Sequence, residues 1–329
     1  MYNKKRIIAG LLILSVIISL AGCGSTQKRT AASGSTPKGT VASGSTWTTD
    51  QTSKRPGLPD APEWDPKEDD EPETGSIRLS ANGQTVYVDG GVYDVGLKKK
   101  VFRDVRKIVF SKDAKFLNPD FGESEIDDWT SYFSKMPLLE EIEVEEGNPF
   151  MYEKDGLLIG AIMNYDHEIP RPENFGVLAC VMTREGEVRI PDGIEWLGFC
   201  PFNGCKKITS IYVPASMKDM EGVDFGNMPS CKSIEVDKDN KYYYSKDGVV
   251  YGLEQKAEDP DVCLVAYPAG RKDAVYRERE KIDAVGKWAF LGVEYLKEVY
   301  LPSTCSDVSE WAFEDCQKLE KVEVRKTTG

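Results

Sequence analysis

A single histidine, His167, stands in 329 residues. That scarcity removes histidine-rich metal sites and leaves imidazole acid–base chemistry to one side chain. Positive charge is also in the minority, with 42 Lys and Arg against 55 Asp and Glu, a formal charge of −13 and a pI near 4.8. A nucleic-acid partner needs a basic face to meet its phosphates, so none is expected. Catalytic signatures are missing as well: there is no phosphate-cradling glycine loop and no Gly-x-Ser-x-Gly. Asp237-Lys238-Asp239-Asn240 lacks the glycine and distal glutamate of a calcium loop and reads as a turn. Carboxylates are abundant, but no aromatic-flanked acidic motif singles out the pair that glycoside hydrolysis needs. No catalytic residue, metal ligand or dissociable cofactor is therefore expected. What is present, 40% hydrophobic and 29% charged residues, suits a chain whose bulk is soluble and globular.

The one long apolar run is Ile7 to Leu20, preceded by Lys4, Lys5 and Arg6. It is short for a membrane span and right for the core of a secretory signal. It ends Leu20-Ala21-Gly22-Cys23, which resembles a bacterial lipobox. That likeness implies a signal peptide over residues 1–22, removed after a diacylglycerol thioether forms on Cys23. The covalent lipid would be the chain's only added group and its only link to a membrane, two or more acyl chains giving stable anchoring. Residues 23–75 follow with almost no aliphatic side chains. Gly-Ser-Thr starts at Gly24, Gly34 and Gly44, and then Pro56, Pro59, Pro62, Pro66 and Pro72 alternate with acidic residues. Such a segment cannot bury enough apolar surface to offset chain entropy and is expected to be a disordered tether.

Beyond it the chain repeats. Phe202, Cys205, Ile208, Ile211 and Val213 return 23 residues later as Phe225, Met228, Cys231, Ile234 and Val236. Phe290, Val293, Leu296, Val299 and Leu301 return in the same way as Phe313, Cys316, Leu319, Val322 and Val324. Phe133, Met136, Leu139, Ile142 and Val144 form an earlier copy, and Phe102, Val105, Ile108 and Phe110 a partial one. A longer period of 92 residues relates Phe133, Ile142, Val144, Asn148 and Gly156 to Phe225, Ile234, Val236, Asn240 and Gly248. Two apolar residues two apart mark one face of a short strand, and the spacing of three before them suits a helical or 3-10 return. A lone coil of this size cannot offset its own ordering entropy, so the coils must stack and share their core. Asp155-Gly156 and Asp247-Gly248 are turn pairs suited to inserted hairpins. Residues 76–100, with Val86, Val88, Val92, Tyr93 and Val95, read as a β cap on the first coil, and residues 101–329 as the repeat domain.

The strings GIEWLGFCPFNGCKKITSIYVP, AVGKWAFLGVEYLKEVYLP and VSEWAFEDCQKLEKVEV resemble the BspA-type leucine-rich repeat. The resemblance covers most of residues 100–325, while residues 111–132 and 161–187 depart from it. It implies an α/β, β-rich leucine-rich-repeat solenoid: about 23 residues per coil, one short strand in each, short helical or 3-10 returns and inserted β-hairpins. Cys205, Cys231 and Cys316 fall on core positions, where cysteine acts as a small hydrophobe. With Cys23 set aside, seven cysteines remain, and an odd number argues against a complete disulfide framework.

Between the inward residues of each strand lies one outward residue: Val109, Glu143, Arg189, Tyr212, Glu235, Tyr300 and Glu323. Stacked coils should align them into an acidic, tyrosine-bearing stripe. Glu143, Arg189, Tyr212, Glu235, Tyr300 and Glu323 are the candidate binding residues, because repeat proteins bind with such faces and tyrosine favours interfaces. The resemblance implies adhesion: a lipid-anchored protein of the bacterial cell surface that binds extracellular or host proteins, or glycans. The rival readings are a solute-binding lipoprotein, which needs two α/β lobes in place of the 23-residue period, and a surface hydrolase.

Overall fold

The computed structural model describes residues 76–93, 102–117, 133, 136–163, 175–198, 200–254 and 260–325. The expectations for the signal segment, Cys23 and the tether, and His167, lie outside the described residues.

Three parallel sheets carry the repeat. The first places Thr85–Asp89, Lys107–Phe110 and Glu141–Val144 side by side, with Ser76–Leu79 added antiparallel to Thr85–Asp89 at its outer edge. The second joins Glu185–Arg189, Lys207–Val213 and Ser233–Val236. The third joins Val275–Arg277, Glu298–Leu301 and Lys321–Val324. Inward residues meet their repeat equivalents directly: Val86, Ile108 and Ile142 are in register, as are Val188, Ile211 and Ile234. All six are buried. Thr85–Asp89 thus acts as a rung in its own right, its Val86 and Val88 continuing the columns of the repeats.

The return path is built with equal regularity. Phe202 stacks on Phe225 at 6.2 Å, and Phe290 lies between Tyr267 at 5.0 Å and Phe313 at 4.8 Å. Residues two before and two after the phenylalanine take the left-handed backbone conformation: Cys200 and Gly204, Trp288 and Gly292, Trp311 and Asp315. Coil-to-coil hydrogen bonds run here too, from Phe290 N to Ala312 O at 2.8 Å and from Tyr267 N to Ala289 O at 2.7 Å. The returns are mostly turns. One is a 3-10 helix, Gly222–Phe225. Some coils also gain a second short strand: Asp261–Ala266, Ala284–Val285 and Asp307–Val308 pair in parallel.

Two antiparallel hairpins interrupt the strand columns. Met151–Lys154 pairs with Leu157–Gly160, and Tyr243–Lys246 with Val249–Glu254. Each turns on its Asp-Gly pair, with φ of 53° and 80° at Asp155 and Gly156 and 50° and 75° at Asp247 and Gly248. Those are the angles that a two-residue hairpin matching the twist of its strands requires. Gly248 is also fixed by space, since a Cβ there would sit 2.6 Å from Ser233 Oγ. The hairpin caps the second sheet: Ile234 N donates to Gly248 O at 3.0 Å and Val236 N to Ser245 Oγ at 2.9 Å.

An asparagine pins each hairpin to the coil before it. Asn148 Nδ2 donates to Ser111 O at 2.8 Å and Ala114 O at 2.9 Å, while its Oδ1 accepts from Phe150 N at 2.7 Å and Met151 N at 3.0 Å. Asn240 repeats this, donating to Pro214 O at 3.0 Å and Met217 O at 2.9 Å and accepting from Tyr242 N and Tyr243 N, each at 2.8 Å. All four hydrogen-bonding capacities of each amide are used.

Candidate interaction surface

Strand pleating turns every second side chain of the three sheets outward, and the register decides which of them meet. In the second sheet Arg189, Tyr212 and Glu235 lie on adjacent strands at one level. In the third sheet Arg277, Tyr300 and Glu323 do the same. In the first the level reads Tyr87, Val109 and Glu143. The predicted stripe therefore exists as three short columns, with a hairpin between successive sheets. It brings Arg189 together with Tyr212 and Glu235, and Tyr300 with Glu323, while Glu143 sits beside Val109.

The columns share a chemistry. The Arg189 guanidinium stacks over the Tyr212 ring at 3.8 Å and that of Arg277 over Tyr300 at 4.0 Å, while Arg78 lies 5.0 Å from the Tyr87 ring. Such cation–π contacts are worth about 0.5–1 kcal/mol at exposed sites. Their larger effect is to hold each flexible arginine in one orientation.

Around them the charges are mostly committed. Tyr212 Oη donates to Asp237, a bond that raises the phenol above its usual range and lowers the carboxyl below its own. Arg189 pairs with Glu187 at 3.0 Å, and that bond leads in raising the guanidinium further. In the third sheet Tyr300 Oη donates to Glu298 Oε2 at 2.6 Å and Lys321 pairs with Glu323 at 2.6 Å. Lys107 bridges Glu141 and Glu143, and those hydrogen bonds, Glu141 first, hold its ammonium well above the usual lysine range.

Arg277 escaped the reading of the sequence because Val275–Arg277 lies in a segment without the five-position apolar pattern. A signal was there: Arg277, Tyr300 and Glu323 each follow Arg189, Tyr212 and Glu235 by 88 residues.

Among the described residues no group of three or more His, Cys, Asp or Glu side chains is placed to hold a metal ion. The seven cysteines described are free thiols. Burial pushes Cys231 and Cys316 up to about 12 and Cys263 and Cys305 up to about 11. Thiols so raised are poor nucleophiles at neutral pH.

Among the described residues Glu278, 1% exposed, is the least exposed carboxylate. Its Oε2 accepts from Tyr276 Oη at 2.7 Å and Tyr251 Oη at 3.0 Å, and its Oε1 from the backbone N–H of Arg279 and Glu280, each at 2.7 Å. With four donors satisfied it fastens the second hairpin to the third sheet, and it is closed to any ligand.

The model of the BspA type leucine rich repeat region matches in six copies, over residues 182–246 and 277–328. No curated protein matches the chain. Among solved structures, a leucine-rich repeat protein from Eubacterium ventriosum ATCC 27560 is similar at 12% identity and TM-score 0.43, over 78% of this chain and 71% of its own. A leucine rich cell surface protein from Faecalibacterium prausnitzii A2-165 is similar at 14% identity and TM-score 0.38, over 79% of this chain and 77% of its own. The pneumococcal vaccine antigen PcpA is similar at 17% identity and TM-score 0.40, over 76% of this chain and 70% of its own. With the repeat model matched in six copies on coils that stack in register, residues 182–246 and 277–328 are BspA-type leucine-rich repeats.

Proposed function

We infer that the chain is a lipid-anchored protein of the bacterial cell surface that binds extracellular or host proteins through the strand face of its solenoid and carries out no catalysis. The observation that carries this reading is the repetition of one outward triad, Arg–Tyr–Glu, on two sheets in the same register. Tyrosine and arginine dominate binding hot spots, and a stacked solenoid holds them without the entropy cost of ordering loops. Anchoring rests on the sequence from Lys4 to Cys23, with residues 24–75 as the spacer between lipid and solenoid.

The test uses residues 23–329 with Cys23→Ser on arrays of extracellular proteins and glycans at two salt concentrations. A saturable protein target is expected, weakened by salt and lost in the Tyr212→Ala/Tyr300→Ala/Glu323→Lys variant. Binding of a small solute alone, or a protein target indifferent to that variant, overturns the reading. Mass spectrometry of the N-terminal peptide from native membranes should find diacylglycerol on Cys23, and an unmodified thiol there removes the anchor.

A further inference from the structure

The two Arg–Tyr–Glu columns look alike but differ in one respect that decides what they can bind. Two residues before Arg189 stands Glu187, which takes its guanidinium at 3.0 Å. Two residues before Arg277 stands Val275, which takes nothing and is 41% exposed. Among the described residues no carboxylate lies within ion-pair distance of Arg277, and its one recorded contact is the Tyr300 ring at 4.0 Å. The neighbouring acids are engaged elsewhere, Glu298 with the Tyr300 hydroxyl and Glu323 with Lys321. Arg277 is thus an exposed cation, oriented by an aromatic ring, with its fork of donors unused and an exposed valine beside it.

We propose that Arg277, stacked on Tyr300 and flanked by Val275, is the anchor of the strand face and takes the carboxylate of an acidic residue, next to an apolar one, on a partner protein. The proposal rests on the binding role assigned above to this face. A planar guanidinium matches a carboxylate with two parallel hydrogen bonds, a geometry that lysine cannot reproduce. Stacking lowers the entropy lost when that bond forms. Arg189, with Glu187 already in place, is a closed copy of the same device and contributes less.

The experiment observes the arginine Nε–Hε resonances of residues 23–329 carrying Cys23→Ser during titration with two blocked tripeptides, Leu-Glu-Leu and Leu-Gln-Leu. The glutamate peptide is expected to shift the Arg277 resonance saturably at millimolar concentration. The glutamine peptide should need at least tenfold more, and Arg189 should move less than Arg277. Arg277→Lys and Tyr300→Leu should each weaken the glutamate peptide about tenfold, while Lys154→Gln, at an exposed position on the first hairpin, should leave it within twofold. Equal responses to the two peptides, a response centred on Arg189, or no response at Arg277 overturns the proposal. If the array target found above is kept by Arg277→Gln but lost in the Tyr212/Tyr300/Glu323 variant, the anchor is wrong and the binding face stands. If both variants keep it, both readings fall.

Discussion

Replacing Asn148 with alanine removes four hydrogen bonds at once, two donated to carbonyls of the preceding coil and two accepted from the start of the hairpin. At about 1 kcal/mol each the loss is about 3–4 kcal/mol, because the site is buried and the orphaned backbone groups find no water. That is a large share of the ~5–15 kcal/mol that holds a typical domain together. The same change at Asn240, which is only half-buried, should cost about 2–3 kcal/mol. Asn148→Asp is the sharper variant. It keeps the acceptors but turns a carboxylate towards two carbonyl oxygens, so at pH 7 it should cost at least as much as alanine. Part of that loss should return at low pH, when the carboxyl O–H can donate once. A solenoid can lose coils singly, and a global denaturation curve averages over that. Amide exchange at Phe150 and Met151, whose N–H groups the asparagine holds, reads the local effect directly. Wild-type protection at both amides in Asn148→Ala, or a loss under 1 kcal/mol there, would refute the claim that this side chain fastens hairpin to coil.

Glu278→Ala orphans two phenols and two backbone N–H groups and should cost about 3–5 kcal/mol by urea denaturation; a neutral result would show that water replaces the carboxylate freely. Asp224 is buried and its carboxyl is pushed from 3.8 up to about 7, chiefly by desolvation. Below pH 3.8 both folded and unfolded states hold that proton; as pH rises towards 7 only the folded state does, so stability falls across that window, by about 4 kcal/mol at 1.36 kcal/mol per unit, and is flat above it. Asp224→Asn should remove that slope, and parallel wild-type and variant stability curves from pH 4 to 8 would contradict it. With thiol ionisation pushed up by burial at Cys231, Cys263, Cys305 and Cys316, iodoacetamide at pH 8 should alkylate these four at least tenfold more slowly in the folded chain than in urea, read by mass spectrometry.

Period-two pairs such as Ile211/Val213 and the Asp-Gly turns made the main strands and both hairpins legible in the sequence, because side-chain alternation and left-handed turn angles leave marks on residue type. The second strands did not show. Ala284–Val285 and Asp307–Val308 are two residues long, too short for any alternation, and exist through pairing with neighbouring coils. Tyr267 fills the phenylalanine position of its coil, 23 residues before Phe290 and stacked on it, but Gly270, Asp273 and Glu278 stand where the apolar pattern should continue. Of the surface, the tyrosines and glutamates at positions 212, 235, 300 and 323 were legible, since they sit between apolar pairs. Arg277 was not, and neither was Glu278, whose partners at 251 and 276 come together only when the hairpin docks.

In this fold a coil's hydrogen bonds go mainly to the coils on either side, with few connections that skip over a neighbour. Pulled by its two ends, such a body does not snap open as a unit. Coils peel from an end in turn, each releasing about 23 residues and lengthening the chain by roughly 75 Å at full extension. The hairpins, fastened by Asn148, Asn240 and Glu278, are the places where peeling should pause. A solenoid built this way yields to drag in instalments rather than in one step.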